Sequence, residues 1–150
     1  MLDKVLNLPN ASRPEPDVIC AGQPDATQLR AVARAGVRRI IDLRQPDEID
    51  WDEAGAVHAL GLEYFNLPVA GPDDLTADKA AELDRALAAA DGPVLVHCGS
   101  ANRVGALFAL RAFYLHGEES ETALEVGRRA GLSGLEAFVR DCLRGQGGGY

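Results

Sequence analysis

The chain has 150 residues, of which 47% are hydrophobic and 25% charged, and its formal net charge is −8 at pH 7. This length predicts one domain around one core, and no stretch reaches the ~20 apolar residues that a membrane-spanning helix requires. The acidic balance excludes a general nucleic-acid binder, which needs a cationic face to displace counterions from phosphates. We therefore expect no nucleic-acid or membrane partner. Any anionic ligand must be held by a local binding site rather than by the charge of the whole molecule.

The cysteines indicate reduced thiols. Cys20, Cys98 and Cys142 form an odd count without a Cys-x-x-Cys pair, which fits neither a disulfide framework nor a zinc site. The first residues lack a basic segment followed by an apolar run, so we expect no secretory signal and a cytoplasmic protein. The pattern implies no cofactor and no metal, and it leaves one thiol available for chemistry.

The predicted elements alternate between strands and helices along the chain. A short apolar run predicts the first strand, over 18–21. A helix then begins at Gln23-Pro24 and ends at Gly36. A strand over 37–43, a weak helix over 47–60 and a strand over 62–69 follow. Thr76 is the predicted N-cap of the next helix, which Gly92 interrupts. The remaining elements are a buried strand over 94–97 and helices over 103–115, 121–130 and 132–143.

This order predicts a three-layer α/β domain over residues 1–144. Its central, mostly parallel sheet should have about four strands flanked by helices. The glycine-rich residues 145–150 should form a flexible tail. Ligands of such sheets bind beyond the carboxyl ends of the strands. The segment after residue 97 is therefore the first place to look for a site.

Residues 97–105 join a buried strand to a buried helix through small and polar residues. Such a turn can direct successive backbone N–H groups inward, and the helix adds the positive end of its dipole. These groups would stabilise the thiolate of Cys98 as a nucleophile. Arg103 would clamp two phosphoryl oxygens in bidentate fashion. Alternatively, Cys98 is a core thiol and Arg103 an ordinary arginine, but an arginine in the first helical turn opposes the dipole.

The segment from His97 to Arg103 resembles the signature P-loop of the protein tyrosine and dual-specificity phosphatases. The closer resemblance is to a bacterial group related to the phosphatase-like domain of beta-lactamase-hydrolase-like proteins. Its pattern also covers 21–24 (AGQP), 40–44 (IIDLR) and 67–69 (LPV). The resemblance implies hydrolysis through a phosphocysteine. The implied phosphate-binding residues are Gly99, Ser100, Ala101, Asn102, Arg103 and Val104.

The chain departs from the larger family in two ways. Four residues separate Cys98 from Arg103, where most tyrosine phosphatases have five, which removes one N–H donor. The shorter spacing resembles the nearest bacterial group, and it also resembles rhodanese-type sulfurtransferases. Val104 stands where the larger family has a serine or threonine that helps the cysteine leave. Ser100 could substitute, but we expect slower hydrolysis of the phosphocysteine.

The resemblance places the general acid on the loop after the strand that precedes the cysteine strand. Here that loop carries Asp73 and Asp74. A proton donor must lie close to the cradle and be protonated before the first step. Both aspartates could instead be solvated turn residues, since Pro-Asp-Asp is ordinary loop chemistry. We slightly favour Asp73.

Other polar residues have simpler interpretations. His97 could tune the thiolate through hydrogen bonding, as the resemblance implies, or be a satisfied core histidine. We expect Arg44 to form an ion pair with Glu48 or Glu53. Cys20 should be a core thiol that could pair with an oxidised Cys98 if the first strand lies close.

The sequence thus predicts a cysteine-dependent phosphatase acting on phosphorylated proteins or small phosphoesters, phosphotyrosine or aryl phosphates above all. Cys98 is the nucleophile, Arg103 the clamp, and Asp73 or Asp74 the acid. Phosphate, sulfate and vanadate should inhibit it. The alternatives are a sulfurtransferase that carries a persulfide on Cys98 and a degenerate oxyanion-binding module.

Overall fold

A five-stranded sheet forms the centre of the molecule in the computed structural model, which describes residues 7–148 and side chains as far as residue 144. The strand order is β1-β2-β5-β3-β4, with β1 antiparallel to β2 and all other neighbours parallel. The strands are β1 Ser12–Glu15, β2 Val18–Ala21, β3 Arg39–Asp42, β4 Glu63–Asn66 and β5 Val94–His97. The helices are α1 Ala26–Arg34, α2 Glu53–Ala59, α3 Ala77–Ala88, α4 Asn102–Tyr114, α5 Ser120–Arg129 and α6 Glu136–Gly148.

Two hydrophobic clusters cover the two faces of the sheet. On one face, Leu29 and Val32 of α1 and Val57 of α2 pack with Ile40 and Leu95. On the other face, buried residues of α3–α6 pack with the alternate strand residues Cys20, Ile41 and Val96. This arrangement confirms the predicted three-layer α/β architecture with a mostly parallel sheet. Side chains on both faces of the central strand β5 are buried, which explains its unbroken apolar sequence.

The prediction of about four strands missed β1. Its sequence, SRPE, is short and polar and contains a proline, so it carries none of the signals of a buried strand. β1 lies at the edge of the sheet, where proline and charged residues are tolerated. Its pairing with β2 depends on residues that close the hairpin rather than on its own apolar content.

Two helices differ most from the prediction. The weak helix over 47–60 is divided into a 3₁₀ turn, Pro46–Glu48, and helix α2, which begins after Asp52 because that carboxylate accepts a hydrogen bond from the Gly55 amide. The last helix begins at Glu136, later than predicted. It continues to Gly148, into the segment 145–150 for which a tail was predicted; residues 149 and 150 lie outside the described part.

The register of the sheet brings three loops together at one edge. His97, the last residue of β5, pairs with Ala21 of β2 and with Asp42 of β3. The residues that follow each of these strands therefore begin side by side. None of the helices in residues 7–148 is long and apolar enough to cross a membrane. The edge where β2, β5 and β3 end is the site that the topology makes available.

Candidate active site

Cys98 lies at the base of the loop that joins β5 to α4. The residue is fully buried, and its amide donates to the Ala21 carbonyl at 3.4 Å. Its sulfur accepts a hydrogen bond from the Ala101 amide at 3.1 Å. At least one backbone N–H group of the loop thus points at the sulfur, as an anion-stabilising loop requires.

Neighbouring segments hold the loop in this shape. The Gln23 amide donates to the Gly99 carbonyl at 3.1 Å, and Asn10 Nδ2 donates to the Ser100 carbonyl at 3.0 Å. A Cβ on Gly22 would lie 2.8 Å from the Gly99 carbonyl oxygen, so only glycine allows this approach. The segment 21–24 therefore supports the cysteine loop from the side of β2.

The N-cap residue of α4 makes no side-chain capping hydrogen bond. Ala101, the N-cap residue, has φ 76°, in the left-handed region, and its side chain cannot cap the helix. Asn102 does not face the loop opening; its Oδ1 accepts from the amides of Ser133 and Leu135. Val104 is fully buried. Among the residues predicted to bind phosphate, Val104 can contribute only backbone groups, while Gly99 and Ser100 are exposed.

Arg103 is oriented by two acceptors. Its Nη1 donates to Glu48 Oε2 at 2.7 Å and to the Val69 carbonyl at 2.9 Å, and its Nη2 donates to Glu48 Oε1 at 2.8 Å. Of the five guanidinium N–H groups, these bonds leave Nε–H and the second Nη2–H, which lie on one edge. A Cβ on Gly99 would lie 3.5 Å from Nη2. The edge with the remaining donors can therefore face a ligand in the cysteine loop.

The pairing of Glu48 with Arg103 shifts the pKa of each side chain in the direction that favours its charged form. The hydrogen bond from Arg103 holds the pKa of the Glu48 carboxyl below its usual range, and the same bond raises the pKa of Arg103. The charge of Cys98 and a hydrogen bond to its sulfur also contribute to the raised pKa of Arg103. The guanidinium therefore lies close to the nucleophile.

The two candidate acids differ in their surroundings. Both belong to a 3₁₀ turn, Pro72–Asp74. Asp74 is half-buried, and its Oδ2 accepts from the Ala70 amide at 2.7 Å. Asp73 is exposed. The carboxylate of Asp74 thus caps its own loop, whereas that of Asp73 faces solvent.

A buried ionic cluster lies behind the cysteine loop, formed by Asp42, Arg44, Glu53 and His97. Arg44 donates through Nε and Nη2 to the two oxygens of Asp42, at 3.0 and 2.9 Å, and through Nη2 to Glu53 Oε1 at 3.0 Å. His97 Nε2 lies 2.6 Å from Glu53 Oε2. Burial alone would raise the pKa of Asp42, but the bonds from Arg44 and the charge of His97 outweigh it and lower that pKa.

Polar neighbours complete the cluster. Tyr64 donates its hydroxyl to Asp42 Oδ2 at 2.7 Å, and burial together with this bond raises the pKa of the phenol. Gln23 Nε2 donates to Glu53 Oε1 at 2.8 Å. Ligand atoms of Asp42, Glu53 and His97 lie within 4.8 Å of one another, the spacing of a metal site. Arg44 already bonds both carboxylates, so the cluster contains its own cation.

The sequence did not identify Glu48, Glu53 or Gln23 as parts of the site. It indicated Glu48 and Glu53 only as partners of Arg44; Glu53 takes that part, while Glu48 pairs with Arg103. The signal that could have found them was the run of acidic residues that follows strand β3. Cys20 is fully buried in β2, and burial raises the pKa of its thiol well above the ordinary value. His58 and His116 are exposed.

Comparison with known proteins identifies the family. Residues 14–113 match the model of the phosphatase-like domain of beta-lactamase hydrolase-like proteins. The beta-lactamase hydrolase-like protein of Xylella fastidiosa (strain Temecula1 / ATCC 700964) is 40% identical over 95 residues, and that of Agrobacterium fabrum (strain C58 / ATCC 33970) is 33% identical over 95 residues. Each match covers 60% of this chain but 22% of the relative, so the chain spans only about a fifth of these proteins.

Solved structures share the fold. TpbA of P. aeruginosa superposes with a TM-score of 0.71 at 23% identity, covering 91% of this chain and 84% of TpbA. The catalytic domain of the PP-IP phosphatase SIW14 of S. cerevisiae superposes with a TM-score of 0.69 at 16% identity, covering 93% and 88%. The family and these neighbours are phosphatases, which are phosphoric monoester hydrolases. The chain therefore belongs to the family of phosphatase-like domains of beta-lactamase hydrolase-like proteins.

Proposed function

We propose that this chain is a cysteine-dependent phosphatase that hydrolyses phosphomonoesters through a phosphocysteine on Cys98. One observation carries the proposal: the sulfur lies at the base of the loop, accepts the Ala101 amide, and lies beside a guanidinium that Glu48 and Val69 orient. Loop amides and a bidentate arginine are the groups that stabilise the charge of a transferring phosphoryl group.

The first step forms a bond between sulfur and phosphorus. The Cys98 thiolate attacks the phosphorus, the ester P–O bond breaks, and the leaving oxygen takes a proton from Asp73. Arg103 would transfer its edge donors from the sulfur to two phosphoryl oxygens. In the second step the Asp73 carboxylate accepts a proton from water, whose oxygen attacks phosphorus. The S–P bond then breaks, which releases phosphate and restores the thiolate.

Surface charge supports a substrate with a single phosphate. Asp47, Asp50 and Asp73 are exposed on the loops that follow β3 and β4, and these loops border the cradle. A substrate with several phosphates would meet like charges there. TpbA has been crystallised in complex with pTyr. We infer that phosphotyrosine or another aryl phosphate fits this chain better than a polyphosphate.

The chemistry proposed for Cys98 also predicts the cellular compartment and the inhibitors. A nucleophilic thiol must stay reduced, which favours the cytoplasm of a bacterium over an oxidising compartment. The open amide groups at the start of α4 and the Arg103 edge favour tetrahedral oxyanions. Phosphate, sulfate and vanadate should therefore compete with substrate.

The first test follows phenol release from an aryl phosphate between pH 4 and 8. Because Val104 offers no hydroxyl to assist the second step, we expect a burst of about one phenol per active site followed by slower turnover, with vanadate suppressing both. A parallel assay supplies thiosulfate and cyanide, because the short loop also resembles that of sulfurtransferases. Thiocyanate formation without phenol release would replace the proposal with sulfur transfer; oxyanion binding without either product would indicate a binding module.

The second test separates the two aspartates. Asp73→Asn should lower kcat/KM for an aryl phosphate with a poor leaving group by about 10²-fold, because general acid catalysis contributes roughly that much and kcat/KM reports the step that releases the phenol. The loss should be smaller with p-nitrophenyl phosphate, whose leaving group needs little protonation. Asp74→Asn is the matched control and should lower thermal stability without making kcat/KM more dependent on the leaving group. If Asp74→Asn alone makes kcat/KM depend steeply on the leaving group, the roles of the two residues are reversed.

A further inference from the structure

Glu53 connects the buried ionic cluster to the cysteine loop. It is the first residue of α2 and is fully buried. Its Oε1 accepts from Arg44 Nη2 at 3.0 Å and from Gln23 Nε2 at 2.8 Å, and its Oε2 lies 2.6 Å from His97 Nε2. These partners pair and hydrogen-bond both oxygens of the buried carboxyl group, which offsets the cost of burying it.

His97 faces acceptors on both sides of its ring. Nε2 faces the Glu53 carboxylate, while Nδ1 lies 3.3 Å from the Cys98 carbonyl oxygen and 3.9 Å from Asp42 Oδ1. A neutral imidazole has one donor nitrogen and would turn a lone pair towards one of these oxygens. With an ionised Glu53, whose Oε1 already accepts from Arg44 and Gln23, only the doubly protonated ring offers a donor to both oxygens. Two carboxylates, one guanidinium and one imidazolium then give the cluster no net charge.

We propose that Glu53 is a positioning residue that keeps His97 protonated behind the cysteine loop and thereby stabilises the Cys98 thiolate. The ionisable groups that face His97 are Asp42, Glu53 and the Cys98 thiol, with Arg44 bonded to both carboxylates. Glu53 never touches the substrate; it acts through the imidazolium, whose Nδ1–H holds the Cys98 carbonyl. The expected change in activity rests on the proposed function, whereas the expected change in the reactivity of the Cys98 thiol does not.

Glu53→Gln tests the charge while preserving the shape. A glutamine can still accept from Arg44 and Gln23 through its oxygen, but its NH₂ group donates to His97 Nε2, which must then be a bare acceptor. The ring stays in place as the neutral Nδ1–H tautomer. We expect the pH midpoint of Cys98 alkylation by iodoacetamide to rise by about one unit, because the imidazolium charge that is lost adjoins Cys98, whereas the carboxylate charge lost with it lies on the far side of the ring.

Peptide mapping assigns the alkylation to Cys98. Burial raises the pKa of Cys20 and of Cys142, so both remain less reactive thiols at neutral pH. At pH 6, kcat/KM for an aryl phosphate should fall about tenfold in Glu53→Gln, and the loss should shrink as the pH approaches the new midpoint. Glu63→Gln is the matched control: Glu63 is exposed and pairs with Arg39 at the start of β4.

The two proposals fail in different ways. An unchanged alkylation midpoint in a folded Glu53→Gln protein overturns the role of Glu53, whatever the activity. A raised midpoint in a chain without phosphatase activity supports it while rejecting the proposed function. If the variant does not fold, ¹⁵N spectra of histidine in the wild-type protein decide: both His97 ring nitrogens should carry protons at neutral pH, and a singly protonated ring overturns the inference.

Discussion

Replacing Cys98 by serine is expected to lower kcat/KM for an aryl phosphate by about 10⁴-fold or more. A serine hydroxyl at neutral pH is a far weaker nucleophile than a thiolate, and the neighbouring His97 ring faces Glu53 rather than the hydroxyl. The exchange of sulfur for oxygen is otherwise small, and the oxygen can still accept from the Ala101 amide. Folding should therefore be unaffected.

This prediction is checked by steady-state kinetics together with thermal unfolding. Cys142→Ser is the matched control, because Cys142 lies on α6, outside the cysteine loop. The Cys98→Ser protein should also keep its affinity for a slowly hydrolysed aryl phosphate. Activity within tenfold of the wild type would show that another group attacks phosphorus.

Arg103→Lys is expected to lower kcat/KM by about 10²- to 10³-fold. An ammonium group is a point charge: it can reach Glu48 or a phosphoryl oxygen, but it has no second edge that binds a ligand while the first is held. The loss of one oriented donor to a transition-state oxygen costs about this much in enzymes generally. Glu48 would then compete with the phosphoryl group for the remaining charge.

Arg111→Lys provides the control for this exchange. Arg111 also bonds two acidic residues, Glu15 and Asp84, but it lies on the last turn of α4, away from the cysteine loop. Its replacement should alter stability without changing the catalytic constants. An Arg103→Lys protein that retains more than a tenth of the wild-type kcat/KM would rule out a bidentate clamp.

Much of the fold could be predicted because its signals are local. The buried strand β5 has a continuous apolar sequence, and Thr76 caps α3 as predicted by accepting from the Lys79 amide. Gly36 ends α1 with a positive φ, as its position suggested. Strand β1 could not be predicted because its pairing depends on β2 rather than on its own composition.

The residues of the candidate site likewise include some that the sequence indicated and others that it did not. Cys98 and Arg103 lie in one short segment, so their spacing in the sequence already indicated a shared role. Glu48 and Glu53 precede this segment by more than 40 positions, and the parallel pairing of β3 with β5 brings Glu48 to Arg103 and Glu53 to His97. The sequence reveals the charge of a carboxylate but not its partner, which the topology of the sheet decides.

The support of the cysteine loop by other segments has a consequence for protein engineering. Two segments distant in sequence bond the backbone of the loop, through Asn10 and Gln23. Asn102 anchors the loop against the segment that precedes α6. A Cβ on Gly131 would lie 2.6 Å from Ala101 Cβ. The shape of the loop is thus encoded mostly outside it. Grafting the loop alone onto another strand–helix junction would transfer the nucleophile without its geometry, and saturation mutagenesis would find intolerant positions at residues that carry no reactive group.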